Sequence, residues 1–346
     1  MKKAILILLT AACVAACGRK EEPKPYKRSF TNLVVLKTTP VKDQGKSSLC
    51  WAYAMLATIE TEHLMLGDSV NLSADYVGQM FLREQANLRY MTQGKQEIST
   101  RGMGSMLIHL ILRHGAMPFD SYRPSDGVDY DALARKLQQR TDAAAAHYEG
   151  LQKLNEDITE LFNTEVCPTP RFVFMYGCEY TVQEFANSIC REDEYVALTS
   201  FSHHPYGSSF VLEVPDNYYR DEFLNLPIDT LVQYVEHALQ TGHPVCWEGD
   251  TSEMLFSFAS GTAEVDNENE PVTQEMRQEE FERFKTTDDH CMEIIGLARD
   301  KNGRKYFICK NSWGTGNPYG GMMYMSENYL RCKTIAVFMP RVALPR

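Results

Sequence analysis

Positive charge is what this sequence is short of. Its 346 residues carry 35 Lys and Arg against 46 Asp and Glu, a formal charge of −11. Such a surface repels phosphate backbones, which argues against nucleic acid as the main partner. It also leaves no polybasic patch to hold an anionic membrane. Cysteine is scarce, at 10 residues, too few for a scaffold built from disulfides. None of the cysteines forms a Cys-x-x-Cys pair, so zinc and thioredoxin-like chemistry have no support and no metal is expected. No internal repeat or low-complexity tract is visible. What remains is ordinary globular composition, 44% hydrophobic and 23% charged, long enough for one large domain or two small ones.

The one feature that stands out early is the N-terminus. Lys2 and Lys3 precede an apolar run from Ala4 to Thr10, followed by small residues. The run falls short of the ~18–20 residues that span a bilayer. Val14-Ala15-Ala16-Cys17 resembles a bacterial lipoprotein signal, which implies removal of residues 1–16 and lipidation of Cys17. The polar, Pro-containing segment that follows, through residue 32, reads as a linker. Lys20-Glu21-Glu22 is similar to the acidic surface-export signals of some lipoproteins, although a solvated linker is the better reading of so short a pattern. The expected location is the outer membrane or cell envelope, facing the periplasm or the surface, held by lipid alone.

Eight cysteines remain beyond Cys13 and Cys17, most beside apolar residues, as in Val245-Cys246-Trp247, a context that suits buried free thiols. Cys50 differs. It opens Cys50-Trp51-Ala52-Tyr53-Ala54-Met55-Leu56-Ala57-Thr58-Ile59, almost wholly apolar, as a helix buried on all sides would be. A thiol in the first turn of a helix feels partial positive charge, which favours the nucleophilic thiolate. Gln44 lies six residues earlier, on a polar loop able to fold back and offer its amide to an oxyanion. A cysteine nucleophile also needs a base and an orienting group. His290 opens a strand-like run, Asp300-Lys301-Asn302-Gly303 makes a hairpin turn, and the return strand ends at Asn311-Ser312-Trp313-Gly314. That hairpin sets His290 beside Asn311.

Gln44-Gly45 through Cys50-Trp51, His290, and Asn311-Ser312-Trp313-Gly314 closely resemble the papain-like cysteine peptidases. Ser47 stands where secreted members usually have a further cysteine, and the 26 residues between Cys17 and Gln44 leave no room for a long propeptide. The branch lacking both is the bleomycin hydrolase and aminopeptidase C group. Asn71-Leu72-Ser73-Ala74-Asp75-Tyr76, Gly102-Met103-Gly104, Leu226-Pro227-Ile228-Asp229 and Thr287-Asp288-Asp289-His290-Cys291-Met292 look like that group. The resemblance implies Cys50 as nucleophile, His290 as base, Asn311 as its orienter and Gln44 as oxyanion donor. It further implies Gly102 in the substrate-binding segment and Trp313 over the His–Asn contact. Cys291 replaces the group's usual Ala, and Arg101-Gly102 replaces its paired glycines. Shorter insertions and the lipid tether argue against the group's hexameric barrel, leaving the oligomeric state open, and the acidic charge contradicts its nucleic-acid-binding interior. No cofactor is implied.

The expected fold is therefore α+β, a papain-like domain over residues 33–346 with the active-site groove between two lobes. A helical lobe over about 45–125 is read from helices at 50–66, 74–88 and 103–114. A charged amphipathic stretch at 130–163 reads as a helical insertion, which extends over about 130–190. Strands at 195–201, 210–214, 243–248, 321–325 and 334–339 join the hairpin in a β-rich lobe over about 195–340, with one helix at 229–241. The run Glu264–Glu282 holds eight acidic residues and reads as a solvated loop, with steering of cationic peptide termini as a second role. The function implied is hydrolysis of peptide or protein substrates, as an aminopeptidase more than as a cathepsin-like endopeptidase. A non-catalytic peptide-binding lipoprotein and a transglutaminase-like acyl transferase are the competing classes. In the group, the C-terminal carboxylate binds the substrate amine. Here only residues 341–346 follow the last strand, a reach of at most ~20 Å.

Overall fold

The structure, a computed structural model, describes residues 27–124, 127–175 and 177–345. The signal, Cys17 and most of the linker lie outside them. Strand β1 (Phe30–Val35) leads into helices α1 (Cys50–Met65), α2 (Ala74–Met91), α3 (Gly104–His114), α4 (Tyr130–Ala146) and α5 (Leu151–Glu165). A small hairpin, β2 (Val173–Met175) and β3 (Cys178–Tyr180), and helix α6 (Val182–Ile189) follow. The remainder is β4 (Tyr195–Thr199), β5 (Ser209–Val211), β6 (Glu222–Asn225), α7 (Ile228–Gln240), β7 (Val245–Gly249), β8 (Phe256–Ser257), β9 (Thr262–Ala263) and α8 (Gln274–Glu282). The chain closes with β10 (His290–Asp300), β11 (Lys305–Lys310), β12 (Met322–Ser326), α9 (Glu327–Lys333) and β13 (Thr334–Pro340).

Most strands join one mixed sheet in the order β5-β6-β4-β13-β7-β10-β11-β12-β9-β8, with β1 also paired to β10. The molecule has two apolar cores. Residues such as Trp51, Phe81, Leu107, Leu137 and Phe162 fill one among the helices. Leu231, Trp247, Ile294, Phe307 and Tyr329 fill the other against the opposite sheet face. Period-2 alternation divides the strands between them: Cys246 and Cys291 face the helices, whereas Trp247 and Met292 face the second core.

Helix α1 joins the two halves. It packs on β10 and β7 on one side and on α2 and α3 on the other. That surround explains why its sequence has no polar face. Gly67, at φ +89°, ends its C-terminal turn. Helix α2 starts at Ser73, whose hydroxyl accepts the amide of Tyr76, and Gly115 closes α3 at φ +84°.

Two expectations need correction. The amphipathic stretch at 130–163 is two helices, broken where Gly150 adopts φ +85°. The acidic run is not a loop throughout. Thr273 caps α8 by accepting the amide of Met276, and Arg277 turns fully inward to donate to the carbonyls of Ser200 and Arg331. Eight cysteines are free among the described residues, and Cys178 is exposed rather than buried.

Buried charge fixes α1 against the sheet. Lys42 reaches Glu60 of α1 at 2.6 Å, and Lys310 at the end of β11 reaches Glu293 of β10 at 3.3 Å. Thr38 and Thr39 bridge the pairs, each accepting from Lys310 while donating to Glu293 and Glu60 respectively. Replacing Lys310 with Met strands Glu293, which has no exposed surface. Urea unfolding should show a loss of ~3 kcal/mol or more, part of which Glu293→Gln added to Lys310→Met restores.

Candidate active site

Cys50 is the first residue of α1, 7% exposed, at the end of the helix where amides lack intrahelical acceptors. His290 is the first residue of β10 and pairs in register with Gly249 of β7. The β10–β11 hairpin closes through Gly303, whose amide donates to the Asp300 carbonyl, and brings Asn311 back to the strand's start. Asn311 Oδ1 lies 2.9 Å from His290 Nε2, which leaves Nδ1 for Cys50. The Asn311 amide backbone and side chain are themselves held, by the Gly321 carbonyl and the Met323 sulfur. Trp313 tilts over the imidazole at 4.5 Å between centroids and is flanked by Phe256 and Phe258.

The electrostatics suit an ion pair. A hydrogen bond from Cys291 draws the Cys50 thiol well below its ordinary value against the cost of burial, and His290 adds a second hydrogen bond and its charge. Burial alone would depress His290; its contacts with Cys50, together with Asn311 and Asp289, raise it instead. Burial and the donation to Cys50 push the Cys291 thiol well above its ordinary value. Both shifts favour the thiolate–imidazolium pair over the neutral one.

Gln44 hangs from the loop that follows β11. Its amide donates to the Ser312 carbonyl, its side-chain oxygen accepts from the Ser312 hydroxyl at 2.6 Å, and its Nε2 donates to the Ser47 carbonyl. A carboxamide has two N–H groups, so one is committed to this turn and the other remains to offer. Gly102 lies in the extended segment before α3, buried against Trp51 and Met106, where a Cβ would come within 2.8 Å of the Met106 methyl. The fold thus gathers Cys50, His290, Asn311, Gln44, Trp313 and Gly102 at one groove.

Sequence reasoning missed several neighbours. Cys291 was noted only as a departure, and the carboxylates Asp216, Asp288 and Glu248 received no role. Arg101 Nη2 pairs with Asp216 at 2.9 Å and donates to the Asp288 carbonyl. A charged residue inside the apolar strand Val245-Cys246-Trp247-Glu248 was the one available signal.

Residues 175–346 match the model of the Peptidase C1-like family, a segment that includes His290 and Asn311. The chain carries that family's pattern through its C-terminal half. Its activity class is that of a cysteine peptidase. It is 24% identical to Aminopeptidase G of Lactobacillus delbrueckii subsp. lactis over 86% of this chain and 79% of that protein. It is 22% identical to mitochondrial cysteine proteinase 1 of Saccharomyces cerevisiae over 88% of this chain and 75% of that protein. PepW of Lactobacillus rhamnosis superimposes with a TM-score of 0.74 at 19% identity, covering 91% of this chain and 83% of that structure. The α+β papain-like fold implied by the sequence is the fold adopted.

Alkylation with iodoacetamide, read at Cys50 by peptide mass spectrometry, should persist below the pH range of an ordinary thiol. Cys291→Ala and His290→Ala should each move that profile upward. A wild-type profile like that of exposed Cys178 would contradict the ion pair.

Proposed function

We propose that this peptidase hydrolyses peptide bonds through Cys50, His290 and Asn311, acting on the free N-termini of peptides. The observation that carries the reading is the Cys50–His290–Asn311 geometry at the mouth of the groove. The Cys50 thiolate attacks the scissile carbonyl carbon, and the oxyanion is held by the Cys50 amide and the uncommitted N–H of Gln44. Asn311 keeps the imidazole turned so that its Cys50-facing nitrogen gives its proton to the leaving amine as the C–N bond breaks. Water, deprotonated by the same imidazole, then cleaves the thioester. Trp313 screens the His290–Asn311 contact from solvent, and Gly102 presents bare backbone to the substrate strand.

The aminopeptidase reading draws on the likeness to a protein named as an aminopeptidase. Endopeptidase action is the second reading, and one feature favours it. Residues 341–343 form a 3-10 turn against α7, Arg341 donates to the Glu194 carbonyl, and Ala343 is buried. Thr334 sits level with His290, whereas Pro340 pairs with Tyr195. At ~3.3 Å per residue, the strand carries the tail ~20 Å away from the histidine. The described tail, through Pro345, does not enter the groove as the family's arm would.

Cys50→Ala should lower hydrolysis of a peptide library to background with the unfolding midpoint retained, and turnover in this variant refutes the mechanism. Trimming of free peptides one residue at a time, with N-acetylated copies spared, is the aminopeptidase outcome. Internal cuts in both are the endopeptidase one.

Attachment to the cell envelope through lipidated Cys17 is part of the same proposal. No helix among the described residues is long and apolar enough to cross a membrane. Cys17→Ser should move the protein from the membrane pellet to the soluble fraction. Retention in the pellet would point to another mode of attachment.

A further inference from the structure

One side of the groove is acidic in a way the hydrolytic machinery does not use. A cleft of about 50 Å³ opens beside Cys50 and His290, walled by Arg101, Gly102, Asp216 and Asp288. Asp288 is 7% exposed, and its Oδ2 accepts from no cation or amide. Behind it, Glu248 is wholly buried. Strand register puts Glu248 opposite Cys291, on the sheet face toward the helical lobe. There its Oε2 accepts the Gly104 amide while its Oε1 accepts from no cation or amide.

The two carboxyl groups, nine-tenths buried or more, have only each other as hydrogen-bond partners for these oxygens, a costly arrangement that no surrounding cation or amide relieves. Arg101 is half exposed and committed to Asp216 and to the Asp288 carbonyl. Asp289 is turned away to the amide and hydroxyl of Thr251. Burial, then the charge of Asp288 and a hydrogen bond with it, push Glu248 well above the usual carboxylate range. Burial and the charge of Asp216 push Asp288 up to about 8, although its hydrogen bond with Glu248 pulls the other way. The pair therefore shares a proton. The charge on Cys50 raises Asp216, Asp288 and Glu248 alike, which sets all three within electrostatic reach of the reacting sulfur.

We propose that Asp288 and Asp216, backed by Glu248, form the subsite for a primary ammonium group of the substrate, in the first place the α-ammonium of a peptide's N-terminal residue. The assignment rests on the aminopeptidase reading for which ammonium is bound, but not for the chemistry of the site. An ammonium brings three donors, and it replaces the shared proton, which leaves to solvent. The α-nitrogen of an N-terminal residue is two bonds from the carbonyl carbon, so the anchor must lie beside the nucleophile, as these side chains do. The small cleft suits the end of a chain, and the C-terminal tail, directed elsewhere, leaves the task to side chains.

The test compares leucine anilide, its N-acetyl form and its α-hydroxy isostere, then N-acetyl dipeptide anilides with Lys or norleucine before leucine. It uses the full chain, Asp288→Asn and Glu248→Gln, with E-64 labelling of Cys50 to report a folded site. Wild type should favour the free amine, and each variant should cut the ratio of kcat/KM for free over acetylated substrate about tenfold, through KM. If free and acetylated leucine are cleaved alike but Lys is favoured over norleucine, and the variants abolish that preference, the aminopeptidase reading fails and the ammonium subsite stands. Should neither variant fold, the α-hydroxy isostere decides within wild type: equal KM for hydroxyl and ammonium, with no preference for Lys, overturns the subsite. So do unchanged ratios in variants that E-64 still labels.

Discussion

The meeting of α1 with the start of β10 is the constraint on which the rest depends. Cys50 belongs to the helical core and His290 to a strand of the sheet, so neither half of the molecule holds a site alone. Apolar packing around α1 is strong but poorly directional, and it would tolerate a small slide along the strand. The ion pair Lys42–Glu60, and the Thr39 hydroxyl that donates to Glu60 while accepting from Lys310 of the sheet, do not tolerate it. Moving either partner would leave a desolvated charge. Position in this enzyme is thus held by groups whose net contribution to stability is modest and whose contribution to alignment is large.

The same division explains the electrostatics around the thiol. Cys291 enters from the strand, the amide end of α1 from the helix, and the imidazole from the strand's first residue. Each favours the thiolate by a separate route, and burial opposes all of them. The Cys291 hydrogen bond contributes most, and the imidazole adds its hydrogen bond and its charge.

Much of this was legible in the sequence. The buried helix at 50 announced itself by lacking a polar face, and the turn at Asp300–Gly303 fixed the approach of His290 to Asn311. Where reading failed, local pattern was overridden by tertiary context. Arg277, in an acidic run that looked solvated, is drawn inward by carbonyls from segments far away in sequence. The break at Gly150 was hidden because apolar residues keep helical spacing across it. Glu248, Asp216 and Asp288 converge from three separate segments, and no spacing rule links them.

The loop after β11 does two jobs at once. Asn311 steadies the imidazole, and the next residue, Ser312, holds Gln44 by both its carbonyl and its hydroxyl. One residue further, Trp313 roofs the histidine, and Gly314 donates to the carbonyl of Lys42, within the buried ionic pair. A perturbation at this loop therefore cannot be confined to one part of the machinery. The imidazole, the Gln44 carboxamide and the clasp between the lobes share a single hinge. Their energetic contributions are coupled by construction, and damage to any of them would spread to the others as one cooperative loss.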